Sequence, residues 1–166
     1  MTEQAQRTEL QCRAVLQSCR SLFEKKLHDY GTAWRILRPE SLTDQIYIKA
    51  ERIRSIQEKG QAQVNEGIDS ELIGIVNYGI IGMIQLSLGA VSHPDLEISE
   101  ALTLYDKYAE ATLQLMLAKN HDYGEVWRNM RVTSMTDLIL SKVHRTKQIE
   151  DLRGETFVSE GIEANY

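Results

Sequence analysis

Apolar residues recur at helical spacing along most of the chain, and no stretch sustains the period-two alternation of a half-buried strand. Leu42, Ile46, Lys49, Ile53 and Ile56 fall at i, i+4, i+7, i+11 and i+14, the pattern of a buried helical stripe. Met135, Ile139, Lys142, Thr146 and Ile149 repeat it. A further helix carries Leu72, Ile75, Val76, Ile80 and Met83 on one face, Glu66, Ser70 and Asn77 on another, and Asp69 at its edge. Helix ends are also written in the chain. A first helix from about residue 8 should stop at Gly31, and a counterpart from about residue 99 at Gly124, because glycine tolerates the left-handed C-terminal position. Second helices should open at Ser41-Leu42-Thr43-Asp44 and Ser134-Met135-Thr136-Asp137, each with a carboxylate three residues after a hydroxyl. A third begins near Val64 or Asn65 and runs to about Leu88. With proline only at Pro39 and Pro94, the expected class is all-α.

These elements come in two sets. His28-Asp29-Tyr30-Gly31, Trp34 and Arg35 recur 93 residues later as His121-Asp122-Tyr123-Gly124, Trp127 and Arg128. At the same offset Arg38, Ser41, Thr43, Asp44, Ile46, Lys49, Arg52 and Ile56 match Arg131, Ser134, Thr136, Asp137, Ile139, Lys142, Arg145 and Ile149. Six identities and eight make 14 over the 29 positions from 28 to 56, where unrelated segments would share about two. The offset then becomes 94, pairing Gly60, Val64, Glu66, Gly67 and Ile68 with Gly154, Val158, Glu160, Gly161 and Ile162. The expected architecture is a tandem duplication of a three-helix unit, residues 1–90 and 91–166, packed as one bundle. The second copy ends where its third helix has only begun, and the groove this leaves predicts a homo-oligomer.

Composition narrows the partners. The 166 residues hold 42% hydrophobic and 26% charged side chains, enough for a real core. Formal net charge is −5 and the longest basic run is Lys25-Lys26, so a nucleic-acid polymer would find no electrostatic footprint. Cys12 and Cys19 lie on one helical face without repeat counterparts, as thiols in a reducing cytosol would. Residues 72–88 are apolar but too short for a membrane span and carry Asn77, Gln85 and Ser87, and Met1 to Leu10 lacks a signal-peptide core. A cytoplasmic protein without a membrane partner is expected.

The chemistry to be explained is a lysine on an apolar stripe, twice over. An ammonium facing inward needs a counter-charge or a path to water along its stem. The candidate carboxylates are Asp29 and Asp122 at the first helix ends, and Glu66 with Asp69, matched by Glu160 with Glu163, at the third helix starts. Glu66 and Asp69 share a helical face, so with Asp29 they could hold Mg²⁺, which takes few protein oxygens and completes its shell with water and phosphate. Lys49 and Arg52, and Lys142 and Arg145, would then neutralise phosphates. Tyr30, Trp34, Tyr123 and Trp127 could stack a nucleobase, or the tryptophans could anchor the interhelical connections. The plain alternative is structural: acidic residues favouring helix dipoles, and Lys49 and Arg52 paired with Asp29. His28 and His121 have no metal-ligand spacing and read as surface residues. There is no Gly-rich phosphate loop, nucleophile elbow or zinc pattern.

Asp29-Tyr30-Gly31, Trp34, Lys49-x-x-Arg52, Val64-Asn65-Glu66-Gly67-Ile68-Asp69 and Asn77-Tyr78 together resemble the nucleotide modification associated domain one family, over residues 27–86 and again over 120–166. The resemblance implies a role in modified-nucleotide metabolism. It also implies a distant likeness to the all-α MazG-type nucleoside triphosphate pyrophosphohydrolases, which hold Mg²⁺ with Glu-x-x-Glu and a later Glu-x-x-Asp. Glu66-x-x-Asp69 fits the second element; no Glu-x-x-Glu precedes it in the first copy, and Asn77 stands where another carboxylate belongs. The expected function is nucleotide binding or processing, most concretely Mg²⁺-dependent hydrolysis of a nucleoside triphosphate with Glu66, Asp69 and Lys49 as catalytic residues. The alternative is a non-catalytic helical binding or assembly module.

Overall fold

The computed structural model describes residues 2–60, 67–154 and 161–166. Five helices, α1 (Glu3–Tyr30), α2 (Pro39–Lys59), α3 (Ile68–Leu88), α4 (Ile98–Tyr123) and α5 (Val132–Asp151), make up this all-α bundle. Single 3-10 turns, Ala33–Ile36 and Val126–Asn129, connect α1 to α2 and α4 to α5. The predicted glycine stops are observed: Gly31 has φ 62° and Gly124 φ 63°, and each donates its N–H back to the helix it ends.

The predicted starts need correction. The α2 and α5 helices begin at Pro39 and Val132, so Ser41 and Ser134 lie inside them and cap nothing. The threonines of the same two segments bond backwards within the helix: Thr43 donates to the Pro39 carbonyl at 3.1 Å and Thr136 to that of Val132 at 3.2 Å. Both are the i−4 bonds that Thr makes within a helix. Pro39 opens α2 because its fixed φ suits a first turn and it leaves no donor unpaired. The α1 helix starts five residues earlier than expected, its Thr2 hydroxyl accepting from Ala5 N at 3.1 Å, and α4 opens on a Glu97–Glu100 capping box.

Helices matched by the sequence repeat pack on each other, α1 on α4 and α2 on α5, while α3 is held by α1, α2 and α4. Phe23, Leu27, Leu42, Ile80, Ile84 and Tyr105 form the centre of the core, with the Phe23 and Tyr105 rings stacked at 4.5 Å. By length and composition α3 could cross a membrane, but every residue from Gly79 to Gln85 is buried within the bundle. Its N-terminal half is less enclosed than its pattern predicts, with Leu72 exposed. The α5 stripe is also turned by one residue. Thr136, Leu140, Val143, Thr146 and Ile149 are buried, and Met135, Ile139 and Lys142 only half so.

Ile139 and Lys142 line a groove of about 210 Å³, and Tyr166 forms part of its wall. The Tyr166 ring lies where a Cβ on Gly82 would be, 2.8 Å away, and its hydroxyl donates to the Pro39 carbonyl at 3.0 Å. Burial pushes that hydroxyl's pKa up to about 12. The second connector is anchored by a carboxylate. Glu125, at φ 65°, accepts from the Thr8 hydroxyl, from Asn120 at 2.9 Å and from Arg128 at 3.1 Å, tying the start of α1 to the end of α4.

The Thr8 hydroxyl, Asn120 and Arg128 hold the Glu125 carboxyl below the usual glutamate range. A depressed pKa contributes stability that is complete above the unfolded value and lost as pH falls through the folded one. Glu150, raised by burial, acts with the opposite sign. The urea midpoint should therefore fall between about pH 5 and about pH 3, and Glu125→Gln should flatten that slope. An unchanged slope in the variant would remove Glu125 from the acid response.

Candidate functional site

A pocket of about 510 Å³ opens between the end of α1, the first connector, α2 and α3. Four turns of sequence converge there. Phe23, Lys26, Leu27 and Tyr30 line it from one face of α1, Trp34 and Leu37 from the connector, Lys49 from α2, and Gly74, Asn77, Tyr78 and Ile81 from one face of α3. Tyr30, Trp34 and Lys49, predicted as stacking and phosphate residues, are thus brought into one cavity.

Lys49 reaches it across Gly74. A Cβ at Gly74 would stand 2.6 Å from Lys49 Cε and 3.0 Å from Nζ, so α3 leaves a notch in which the lysine stem lies. The ammonium then sits 3.4 Å from Glu71 Oε2 and 5.9 Å from the centre of the Tyr78 ring. Arg52 bonds the other oxygen of the same carboxylate. Glu71 is 8% exposed, against 26% and 29% for its two cations. Its place in the first turn of α3 also suits the helix dipole. The carboxylate serving Lys49 is therefore Glu71, and the structural alternative of a pair with Asp29 is not what forms: Asp29 is exposed, as is Asp69. Glu66 and Glu160 lie outside the described residues. Among the described residues no group of three His, Cys, Asp or Glu side chains converges as a metal ion would require.

The connector that carries Trp34 is locked from beneath. Arg35, 2% exposed, donates to Asp95 at 2.8 and 3.2 Å, to the Gly89 carbonyl at 2.8 Å and to Gln85. The Gln85 amide donates in turn to the carbonyls of Arg35 at 2.9 Å and Leu37 at 2.7 Å. The guanidinium holds the Asp95 carboxyl below the usual aspartate range. Asn77 is likewise spent on structure, donating to the Cys19 carbonyl at 3.1 Å and accepting from the Tyr105 hydroxyl at 2.7 Å. It joins α1, α3 and α4 rather than replacing a metal carboxylate.

The second set of predicted residues is arranged differently. Tyr123 is as exposed as Tyr30, but Trp127 donates its indole N–H to Asn120 at 2.7 Å beneath the Arg128 guanidinium, 4.5 Å above its ring. Lys142 lines the small groove with Tyr166, and Arg145 is exposed. A larger cavity of about 860 Å³ lies beside Glu125 and Asn120, whose side chains are bonded to Thr8, Arg128 and Trp127. Both cysteines are free, Cys19 buried and Cys12 half-buried, and His28 and His121 are on the surface.

Sequence reasoning missed Glu71, Gly74, Tyr78, Arg35 and Gln85 as site builders. Glu71, Gly74 and Tyr78 fall at i, i+3 and i+7, one face of α3, which is a signal the apolar stripe concealed.

The nucleotide modification associated domain 1 family matches residues 26–86 and 119–166. The chain belongs to that family. The first matched segment holds every pocket residue from Lys26 to Ile81, and Glu71 with them. No curated protein and no solved structure matches the chain.

Arg35→Ala should cost about 2–4 kcal/mol, because it leaves the buried Gln85 side-chain oxygen without its charged donor and empties a buried side-chain site. Urea unfolding measures this. A loss below about 1 kcal/mol would mean the connector is held by its apolar contacts instead.

Proposed function

We propose that the pocket binds a nucleotide, with the ring among Phe23, Trp34 and Tyr78 and the phosphate at Lys49 and Lys26. The observation that carries this reading is the composition of the cavity. Aromatic and aliphatic walls enclose it, two lysines line it, and its described lining includes no carboxylate. The volume falls within the range of small-molecule sites. In a chain of net charge −5, a cavity with that lining favours an aromatic anion. The family's description, nucleotide modification associated, agrees with a ligand of this class.

Mg²⁺-dependent hydrolysis of the MazG type would need carboxylates around the phosphates. The described residues do not supply them: Asp29 and Asp69 are exposed outside the pocket lining, and Glu71 is engaged by Lys49 and Arg52. Glu66 lies outside the described residues.

Calorimetric titration with AMP, UMP and the matching nucleosides, each with and without Mg²⁺, should show the monophosphates binding and the nucleosides binding more weakly. Lys49→Met should weaken monophosphate binding about tenfold or more, the value of one charge-assisted contact, and leave nucleoside binding unchanged. Gly74→Ala should act in the same direction by evicting the lysine stem from its notch. Equal monophosphate affinity in Lys49→Met and the parent would sink the phosphate assignment. Binding that required Mg²⁺ would restore the carboxylate reading.

A further inference from the structure

The chain has two tryptophans, Trp34 and Trp127, at matching positions of the repeat. Trp127 is satisfied internally, its N–H donating to Asn120 Oδ1 at 2.7 Å. Trp34 Nε1 is buried and has no hydrogen-bond partner. The reason is one substitution between the copies: 93 residues before Asn120 stands Leu27, a hydrocarbon that cannot accept a hydrogen bond. Nor does the neighbourhood offer a ready substitute. The carbonyls of Arg35 and Leu37 accept from Gln85, Phe23 packs against the indole with an apolar ring, and Asn77 is committed to Cys19 and Tyr105. A buried donor left unpaired is costly, and natural chains keep few of them. Trp34 and Leu27 both line the pocket.

We propose that the Trp34 indole N–H, covered in the empty pocket, is uncovered by a shift of the indole as the ligand's ring seats, and then reads that ring. The ring that seats in the pocket must present an acceptor, a carbonyl oxygen or an unprotonated ring nitrogen, and an aromatic phosphate without one binds less well. This deepens the nucleotide reading and rests on it. The phosphate lysines ask only for an anion, and the aromatic walls only for a flat ring. The indole donor adds the requirement that separates a nucleobase from any other aromatic ring. A site built around a buried donor rejects the analogue that leaves it unpaired more strongly than an apolar wall rejects a change of shape. The second copy, with Asn120 in place of leucine, has closed the same donor on itself.

With two tryptophans, the indole region of a ¹⁵N–¹H correlation spectrum holds two cross-peaks, assigned by Trp34→Phe and Trp127→Phe. The probes are UMP, AMP and phenyl phosphate, which keeps the ring and the anion but lacks a ring acceptor. The tighter-binding nucleotide should move the Trp34 cross-peak downfield and leave that of Trp127 in place. Phenyl phosphate should bind about tenfold more weakly and leave the Trp34 proton without that shift, the difference being one hydrogen bond. In Trp34→Phe the nucleotide should lose about tenfold more affinity than phenyl phosphate does, so that the difference between the two probes disappears. Equal affinities for nucleotide and phenyl phosphate, or an unmoved Trp34 cross-peak at nucleotide saturation, would overturn this inference and leave nucleotide binding standing. Binding of neither probe would overturn both.

Discussion

Three buried polar side chains of α3, Glu71, Asn77 and Gln85, fix the arrangement of everything around it. Burying a polar group is tolerable only when it is bonded, so each of these residues dictates a neighbour. Glu71 draws Lys49 and Arg52 of α2 against α3. Asn77 holds the Cys19 carbonyl of α1 and the Tyr105 hydroxyl of α4. Gln85 seizes the connector through the carbonyls of Arg35 and Leu37 and receives the Arg35 guanidinium. Apolar packing alone would allow α1, α2 and α4 to slide along α3, because dispersion and burial are nearly indifferent to register. The bonds of these three residues remove that freedom, and the α3 side of the pocket, Gly74 to Ile81, lies between Glu71 and Gln85.

The two repeat segments diverge at the positions that decide whether a cavity is open to a ligand. Leu27 in the first corresponds to Asn120, Thr32 to Glu125 and, at the later offset of 94, Glu71 to Asn165 and Leu72 to Tyr166. In the second segment these changes close the groups on one another: Asn120 accepts from Trp127 and donates to Glu125, while Tyr166 fills space beside Gly82. Gly79 and Gly82 are buried without side chains in the middle of a helix, which costs intrinsic helix stability of about 1 kcal/mol each. The Tyr166 ring and carbonyl occupy the space those missing side chains leave. One segment thus spends its polar groups on itself, and the other leaves an aromatic cavity with an unmatched donor.

Much of this was legible in the sequence because it is local. Helix stops follow from the conformational freedom of Gly31 and Gly124, and the all-α class from spacing and scarce proline. The inward lysine and the two aromatics of one motif, Tyr30 and Trp34, indeed meet in one pocket. Helix starts were less legible, since Ser41 and Ser134 stand three residues before a carboxylate yet lie inside helices that open two residues earlier, at Pro39 and Val132. The carboxylate that pairs with Lys49 was hidden for a different reason. Asp29, Glu66 and Asp69 were favoured by recurrence between copies, whereas Glu71 has no acidic counterpart and pairs across 22 residues with Lys49. The Arg35–Gln85 tie, across 50 residues, leaves no periodic trace at all.

Lys49 shows why a lysine rather than an arginine suits this place. Its stem must pass the Gly74 notch, where a Cβ would already be too close, so a thin methylene chain fits and a planar guanidinium would not. At 3.4 Å from Glu71 and a quarter exposed, the ammonium is held in a pair that adds little stability, because water still screens it. A weak pair is easily exchanged: turning from Glu71 toward a phosphate in the pocket forfeits little, and the compact ammonium keeps its three donors in either place. Glu71 would keep its bond to Arg52 throughout, so the carboxylate would not be stranded in the interior when the lysine moves. The arrangement separates support from recognition, with Arg52 holding α2 to α3 while Lys49 is left able to change partners in the proposed complex.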